Sequence, residues 1–432
     1  MMNLFAGVAV RDITPNPGAP LWGYTEREGP ATGTLDPLCA KAVVFRANGK
    51  TVAIVSLDLG RVPLEQICSR IRDRVRAKGV DYVFFAATHT HHAPVMEIAE
   101  APYMSRIESG ISEAIEEAVG RLEPARIGVG RTMIDIAHNR RKLLKDGRCF
   151  MIWRNEERIP TAPVDREAGV VKVTNLEGKP VVTLVHFACH PVVMGQSNYE
   201  YSADYVGEMS RLVREQTGAE CVFLQGACGN INPYLDKTPI DHGAVDAMRS
   251  AGKECAETVL RALKGIDTRI PEAPSVAFVE RPVDVGIRWD LTDAATVESL
   301  RAAHGDMFDV YIGSASPDLA VPLSVIVLNG ALAFVGMPGE IFVQYQLALK
   351  EGSPLRDSFL CGYANGYYAY FPTVRDAVAG GYGGTVASFV GLGAGDKLLV
   401  EAEIEIARLT GKRVGKCSPE ILALLEEGPI PD

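Results

Sequence analysis

Three of the chain's eight histidines stand in Thr88-His89-Thr90-His91-His92-Ala93-Pro94, directly after the apolar run Val83-Phe84-Phe85-Ala86-Ala87. In an extended segment His89 and His91 would point to the same side and offer two imidazoles to one site. Neutral imidazole is a common zinc ligand, and a second imidazole nearby can bind or polarise a substrate. A second group, His186-Phe187-Ala188-Cys189-His190-Pro191, ends the run Val181-Val182-Thr183-Leu184-Val185. Its spacing of four would suit a metal pair on a helix, but the β-branched run argues for a strand with His186 and His190 on one face. His190, at the strand end, is the better ligand; His186 reads as a core histidine.

Two further loops have the same character. Gln225-Gly226-Ala227-Cys228-Gly229-Asn230-Ile231-Asn232-Pro233 carries glycines that let the backbone approach a ligand and amides that could hold an oxyanion. Cys228 has no dedicated base in the sequence and reads as structural. In Gly336-Met337-Pro338-Gly339-Glu340, a glutamate ends a buried run, which is unfavourable unless it is paired or binds a cation. Taken alone, Glu340 reads as a helix-start carboxylate for 341–350. The segment Asn365-Gly366-Tyr367-Tyr368-Ala369-Tyr370 follows; alone, its aromatic residues read as packing.

These loops need rigid supports. Strand-length apolar runs lie at 41–47, 51–57, 82–87, 169–173, 181–187, 221–224, 323–328 and 331–335, and amphipathic helical patterns at 63–78, 106–122, 243–263 and 396–410. The alternation predicts an α/β fold: a single large domain over 1–410 with a central mixed β-sheet flanked by helices, a site on loops after strand ends, and a loosely attached tail over 411–432. The formal net charge of −10 argues against a nucleic-acid partner. No apolar run approaches the roughly 18 residues of a membrane-spanning helix. The first residues lack a basic n-region and a long apolar segment, and nine cysteines with no CxxC pair suit a reduced compartment, so a cytoplasmic location is expected.

The set of motifs resembles the neutral/alkaline non-lysosomal ceramidases, zinc-dependent amide hydrolases. Gly7-Val8-Ala9-Val10-Arg11-Asp12-Ile13-Thr14-Pro15 with Trp22-Gly23-Tyr24 is similar to that family's opening, and Ser56-Leu57-Asp58-Leu59-Gly60 to its next strand. Thr88-His89-Thr90-His91, Phe187-Ala188-Cys189-His190-Pro191 with Ser202-Ala203-Asp204, Pro338-Gly339-Glu340 and Ala364–Tyr370 follow in the family's order. The resemblance implies one zinc held by His89, His190, Glu340 and Tyr370, with Tyr370 preferred over Tyr367 and His89 over His91. His91 and Arg140 match positions that bind or polarise substrate. Metal-activated water would attack an amide carbonyl of an N-acyl substrate, with Asp204 as a group that could move the proton. Gly226, Asn230 and Tyr367 are expected at the substrate.

Departures from the family pattern set further expectations. Gly226 stands where the family has a serine, so a mechanism needing that serine cannot operate. Gly33-Thr34-Leu35-Asp36-Pro37 replaces a histidine- and arginine-bearing segment, suggesting a differently shaped substrate entrance. The length fits the family's catalytic part without its appended β-sandwich, which puts ceramide itself in question. Alternatives are a zinc esterase, lactonase or deacetylase acting on a small polar molecule, a non-catalytic ligand-binding relative, or a second metal placed by Asp58, His91 or Asp204. Association into a homo-oligomer is left open.

Overall fold

The structure, a computed structural model, describes residues 3–305, 308–311 and 318–411. The expected tail thus lies, from residue 412 onward, outside the described residues.

The eight strands of the main sheet run in the order Glu220–Gln225, Pro180–Phe187, Glu167–Asn175, Glu123–Met133, Phe5–Asp12, Cys39–Ala47, Lys50–Leu57 and Tyr82–Ala87. The sheet is mixed, as expected. Its inner pairs are antiparallel, whereas the outermost pair at each end is parallel. Each parallel pair needs a crossover, supplied by the helices Glu65–Arg76 and Asp204–Thr217. Ile67, Ile71 and Val75 recur at helical spacing and are buried. The Asp204–Thr217 helix escaped the sequence reading. It stops at Gly218, whose φ of +73° suits a left-handed cap accepted by the Arg214 carbonyl.

A second, four-stranded sheet in the order Val276–Asp284, Ala320–Leu328, Leu332–Gly336 and Asp357–Cys361 packs on the inner face of the first. Phe45, Ile54, Phe84, Leu184 and Leu224 of the main sheet meet Ile326, Phe334 and Phe359 of the second in one buried layer. Truncating a ring such as Phe334 to alanine would cost roughly 3–5 kcal/mol. Helices cover both outer faces: Glu65–Arg76, Met104–Gly120, Asp204–Thr217 and Ala244–Lys264 on the main sheet, and Val343–Gly352 and Ala394–Leu409 on the second. The result is four layers, α/β/β/α. Burial on both faces explains why Lys50–Leu57 reads as a continuous apolar run rather than alternating with polar residues.

Leu332–Gly336 and Asp357–Cys361 form a third parallel pair. The ends of the three pairs are close in space: Ser56 Oγ donates to the Phe223 carbonyl, and Gly362 N to the Gln225 carbonyl at 3.0 Å. The loops carrying His89, His190, Asn230, Glu340 and the tyrosines all leave carboxyl ends of these strands. Backbone groups there are freed from the ladder and can hold polar side chains.

Candidate metal centre

The main chain fixes each side chain of the cluster. His89 takes φ +71°, so the segment is not extended as the sequence suggested, and its N–H donates to the Leu59 carbonyl at 2.9 Å. Its ring Nδ1 lies 2.6 Å from the Gly60 carbonyl. His190 donates its backbone N–H to the Ile231 carbonyl at 3.0 Å, and its Nδ1 lies 3.0 Å from the same oxygen. Glu340 N donates to the Ala369 carbonyl at 2.8 Å, in a short parallel pairing of Glu340–Ile341 with Tyr370–Phe371. Glu340 does not cap the following helix, which begins at Val343; its side chain points into the cluster instead.

Because a carbonyl oxygen only accepts, the Nδ1 of His89 and of His190 must carry the proton, which leaves each Nε2 with a bare lone pair. Those lone pairs converge with a carboxylate. Glu340 Oε2 is 3.2 Å from His190 Nε2 and 3.7 Å from His89 Nε2, and His91 Nε2 is 3.3 Å from His89 Nε2. Ligand atoms of His89, His91 and His190 lie within 4.8 Å of one another. Burial drives the imidazolium forms away, holding the His89 pKa down to about 3 and lowering those of His91 and His190. Glu340 is pushed up by burial, but His89, His190 and Arg140 together bring it below the usual carboxylate range. Buried acceptors facing acceptors are unfavourable without a cation between them, so this donor set fits a metal ion.

Both candidate tyrosines reach Glu340. Tyr367 donates its hydroxyl to Oε1 at 2.7 Å, while burial and the nearby Glu340 charge hold the Tyr370 phenol well above its ordinary pKa. Arg140 is placed by the antiparallel pairing of Ala137–Asn139 with Ile231–Pro233 and is 3% exposed. It donates to Tyr370 OH at 3.1 Å, to the Gly229 carbonyl at 2.6 Å and to Asn232 Oδ1 at 3.2 Å.

Several expected site residues serve other ends. Asp204 is not brought to the cluster: its carboxylate accepts from the main-chain N–H groups of Val193, Met194 and Tyr205, and its nearest imidazole is His92 at 3.9 Å. Asp58 pairs with Lys41 at 3.4 Å, which removes it, like Asp204, as a second-metal ligand beside His89. Asn230 spends both ends of its amide on the chain, donating to Gln344 and accepting from Val343 N, rather than facing substrate. Gly226 is a packing glycine. A Cβ there would lie 2.5 Å from Gln346 Oε1 and 3.0 Å from Ala188 Cβ, so a side chain would need Gln346 to move. The Gly33–Pro37 segment sits at the start of helix Asp204–Thr217, where Asp36 accepts from Ser202 Oγ and Ala203 N, and lines a cleft with Lys41 and Asp58 instead of the cluster. His186 and Cys228 are structural, as read: His186 Nε2 meets the Leu360 carbonyl at 2.7 Å, and Cys228 Sγ meets Tyr363 OH at 3.1 Å.

Sequence reasoning missed the supports. Tyr363 stacks on His89 with ring centroids 3.9 Å apart, and Trp22 lies edge-on to His89, His91 and Tyr367. Gly229 is required by close approach, since a Cβ there would lie 2.4 Å from the Glu340 carbonyl oxygen. Trp22 and Gly229 stand in noted motifs, but nothing in their spacing reveals which ring or carbonyl they touch.

Fold and site define an α/β protein that gathers imidazoles and a carboxylate at the ends of parallel strands. The model of the neutral/alkaline non-lysosomal ceramidase N-terminal region matches residues 5–255, and the chain belongs to that family. The neutral ceramidase of Pseudomonas aeruginosa is 27% identical over 257 residues, a match spanning 54% of this chain but 37% of that protein. The crystal structure of neutral ceramidase from Pseudomonas aeruginosa superposes with a TM-score of 0.75 at 19% identity, covering 98% of this chain and 77% of that one. A ceramidase complexed with C2 matches equally well, with TM-score 0.75, 19% identity and coverage of 97% and 77%. The structural likeness extends the shared fold to the region carrying Glu340 and Tyr370, beyond the matched residues 5–255.

Proposed function

We propose that this protein is a zinc-dependent amidase that hydrolyses the amide bond of an N-acyl substrate of the ceramide type. The observation that carries the reading is the convergence of the bare Nε2 atoms of His89 and His190 on the Glu340 carboxylate. These three residues would hold the ion with Tyr370, and Tyr367 would orient Glu340 through its hydrogen bond. When bound there, zinc supplies Lewis acidity that brings the pKa of a water molecule to roughly 7.

The remaining groups fall into place around that site. Arg140 directs fixed positive charge at the cluster and favours negative charge developing on the carbonyl oxygen. His91 is only partly buried, and its Nδ1 has no partner, so this imidazole, rather than Asp204, takes the proton-moving role. Membership of the family and the neutral ceramidase relative support amide hydrolysis. A single catalytic domain over 1–410 belongs to the same proposal, supported by a site that draws side chains from position 89 to position 370. A cytoplasmic setting is supported by the eight described cysteines, all of which are unpaired.

The test is metal analysis of the purified protein followed by hydrolysis of N-acyl amides, each paired with its ester. Stoichiometric zinc, loss of amidase activity on chelation and recovery on zinc addition are expected. Protein that cleaves amides at full rate without metal would sink the proposal.

A further inference from the structure

Beside His91 the site carries two cations, Arg140 and Lys237; Glu340 favours the charge of the first, and Asp236 and Glu26 that of the second, but only from beyond ion-pair distance. Arg140 lies under three rings, its guanidinium carbon 5.1 Å from the Trp153 centroid, 5.3 Å from Tyr382 and 5.6 Å from Tyr370. Lys237 Nζ lies over the same indole at 4.1 Å and 5.9 Å from the Tyr24 ring, which itself packs against His91 at 4.9 Å. Among the described residues neither cation forms an ion pair within 4.0 Å, and the buried Arg140 Nε has no hydrogen-bond partner. The carboxylate next in the chain, Asp236, turns inward to Asn232 Nδ2 at 2.8 Å. Lys237 is also held by its backbone, at φ +54° with its N–H on the Val192 carbonyl at 2.8 Å. A left-handed conformation is uncommon for lysine and fixes where the ammonium starts.

Two like charges sharing one indole repel each other, and partial burial removes the water that would screen them. Aromatic faces offset a modest part of that cost, about 0.5–2 kcal/mol per contact. An anion placed between Lys237 and His91 would offset far more. Arg140 is fixed by three acceptors, so it would contribute field, while Lys237 would make the contact.

We propose that Lys237 is a specificity residue that receives an oxyanion of the substrate, so that the preferred N-acyl compound carries a carboxylate or phosphate close to the scissile amide. This rests on the amidase reading and narrows it away from neutral ceramide. Water adds across the amide of such a substrate, the C–N bond breaks, and the released amine takes the proton while keeping its own anionic group.

The test compares N-lauroylglycine, N-lauroyl-phosphoethanolamine and neutral N-lauroylethanolamine as substrates of the zinc-loaded enzyme, and as ligands by calorimetry. Wild type should favour one of the anionic compounds over the neutral one by tenfold or more in kcat/KM, and the better of the two identifies the oxyanion. Lys237→Gln should collapse that ratio toward one, and Lys237→Arg should retain most of it; thermal unfolding shows that each variant is folded. A wild-type ratio near one, or a ratio unchanged in folded Lys237→Gln, overturns the proposal. If no compound is hydrolysed, the amidase reading fails by itself. Tighter binding of an anionic compound by wild type than by Lys237→Gln then still supports the subsite, and equal binding overturns it.

Discussion

Two buried polar clusters arise from the same pair of loops and are built on opposite rules. His89, His91 and His190 gather with Glu340, whereas His92 gathers with Arg27, Asn198 and Asp204. In the second cluster both ring nitrogens of His92 have partners. His92 Nε2 lies 3.2 Å from the Met194 carbonyl and so carries the proton, leaving Nδ1 to accept from Arg27 at 2.7 Å and Asn198 at 3.2 Å. In the first cluster two lone pairs and a carboxylate oxygen face one another. Burial lowers the pKa of His89 and His92 alike to about 3, so protonation state does not separate the clusters. Complementarity does: the chain itself answers both nitrogens of His92, whereas the bare His190 lone pair faces a carboxylate and calls for a cation.

The contrast is broken or upheld by substitution. The largest effect is expected for His190→Ala, with activity down about 10³-fold or more and metal content well below one per chain. His92→Gln should retain stoichiometric metal, and a metal-free His92→Gln protein would void the distinction between the clusters. Next, Asp204→Asn puts an amide where three N–H groups require an acceptor. Denaturant unfolding should report a loss of roughly 1–3 kcal/mol with the metal still bound.

Gly229→Ala forces Glu340 to shift, and titration with a competing chelator should show zinc affinity reduced about 10- to 100-fold with little change in secondary structure. Tyr367→Phe deletes the hydrogen bond to Glu340 and should cost about tenfold in the same titration. The smallest effect concerns Asp36, whose carboxyl is pushed by burial from 3.8 to about 7. Ionising it costs stability, a penalty absent below about pH 4, growing between pH 4 and 7 and complete above. Asp36→Asn should therefore flatten the stability profile over that interval, and parallel profiles for variant and wild type would count against a buried, reluctant Asp36.

The histidine loops and their supporting strands were legible because a run such as Val181–Val185 declares a buried strand, and an imidazole at its end has few other uses. Helices 63–78, 106–122, 243–263 and 396–410 appear within a few residues of the expected ends, since a buried stripe at 3.6-residue spacing depends on local order alone. The resemblance located Glu340 where the residues alone suggested a helix start. Asp204 misled because a motif aspartate and a structural aspartate look alike in sequence. The left-handed turn at His89, the reach of Arg140 to Tyr370 and the stacking of Tyr363 on His89 depend on contacts between segments more than 100 residues apart, or on a backbone angle that no pattern encodes.

By itself, then, the sequence determined the α/β class, the strand ends that carry chemistry and the inventory of imidazoles, carboxylates and phenols offered there. Only the tertiary structure decided which of them meet. Three parallel strand pairs end at one place, turning His89 and His190 toward Glu340 while His92, the residue after His91, closes a separate network with Asp204. The reason is physical: residue type sets what a side chain can donate or accept, but the neighbour that answers it is chosen by packing between layers that are distant in the chain.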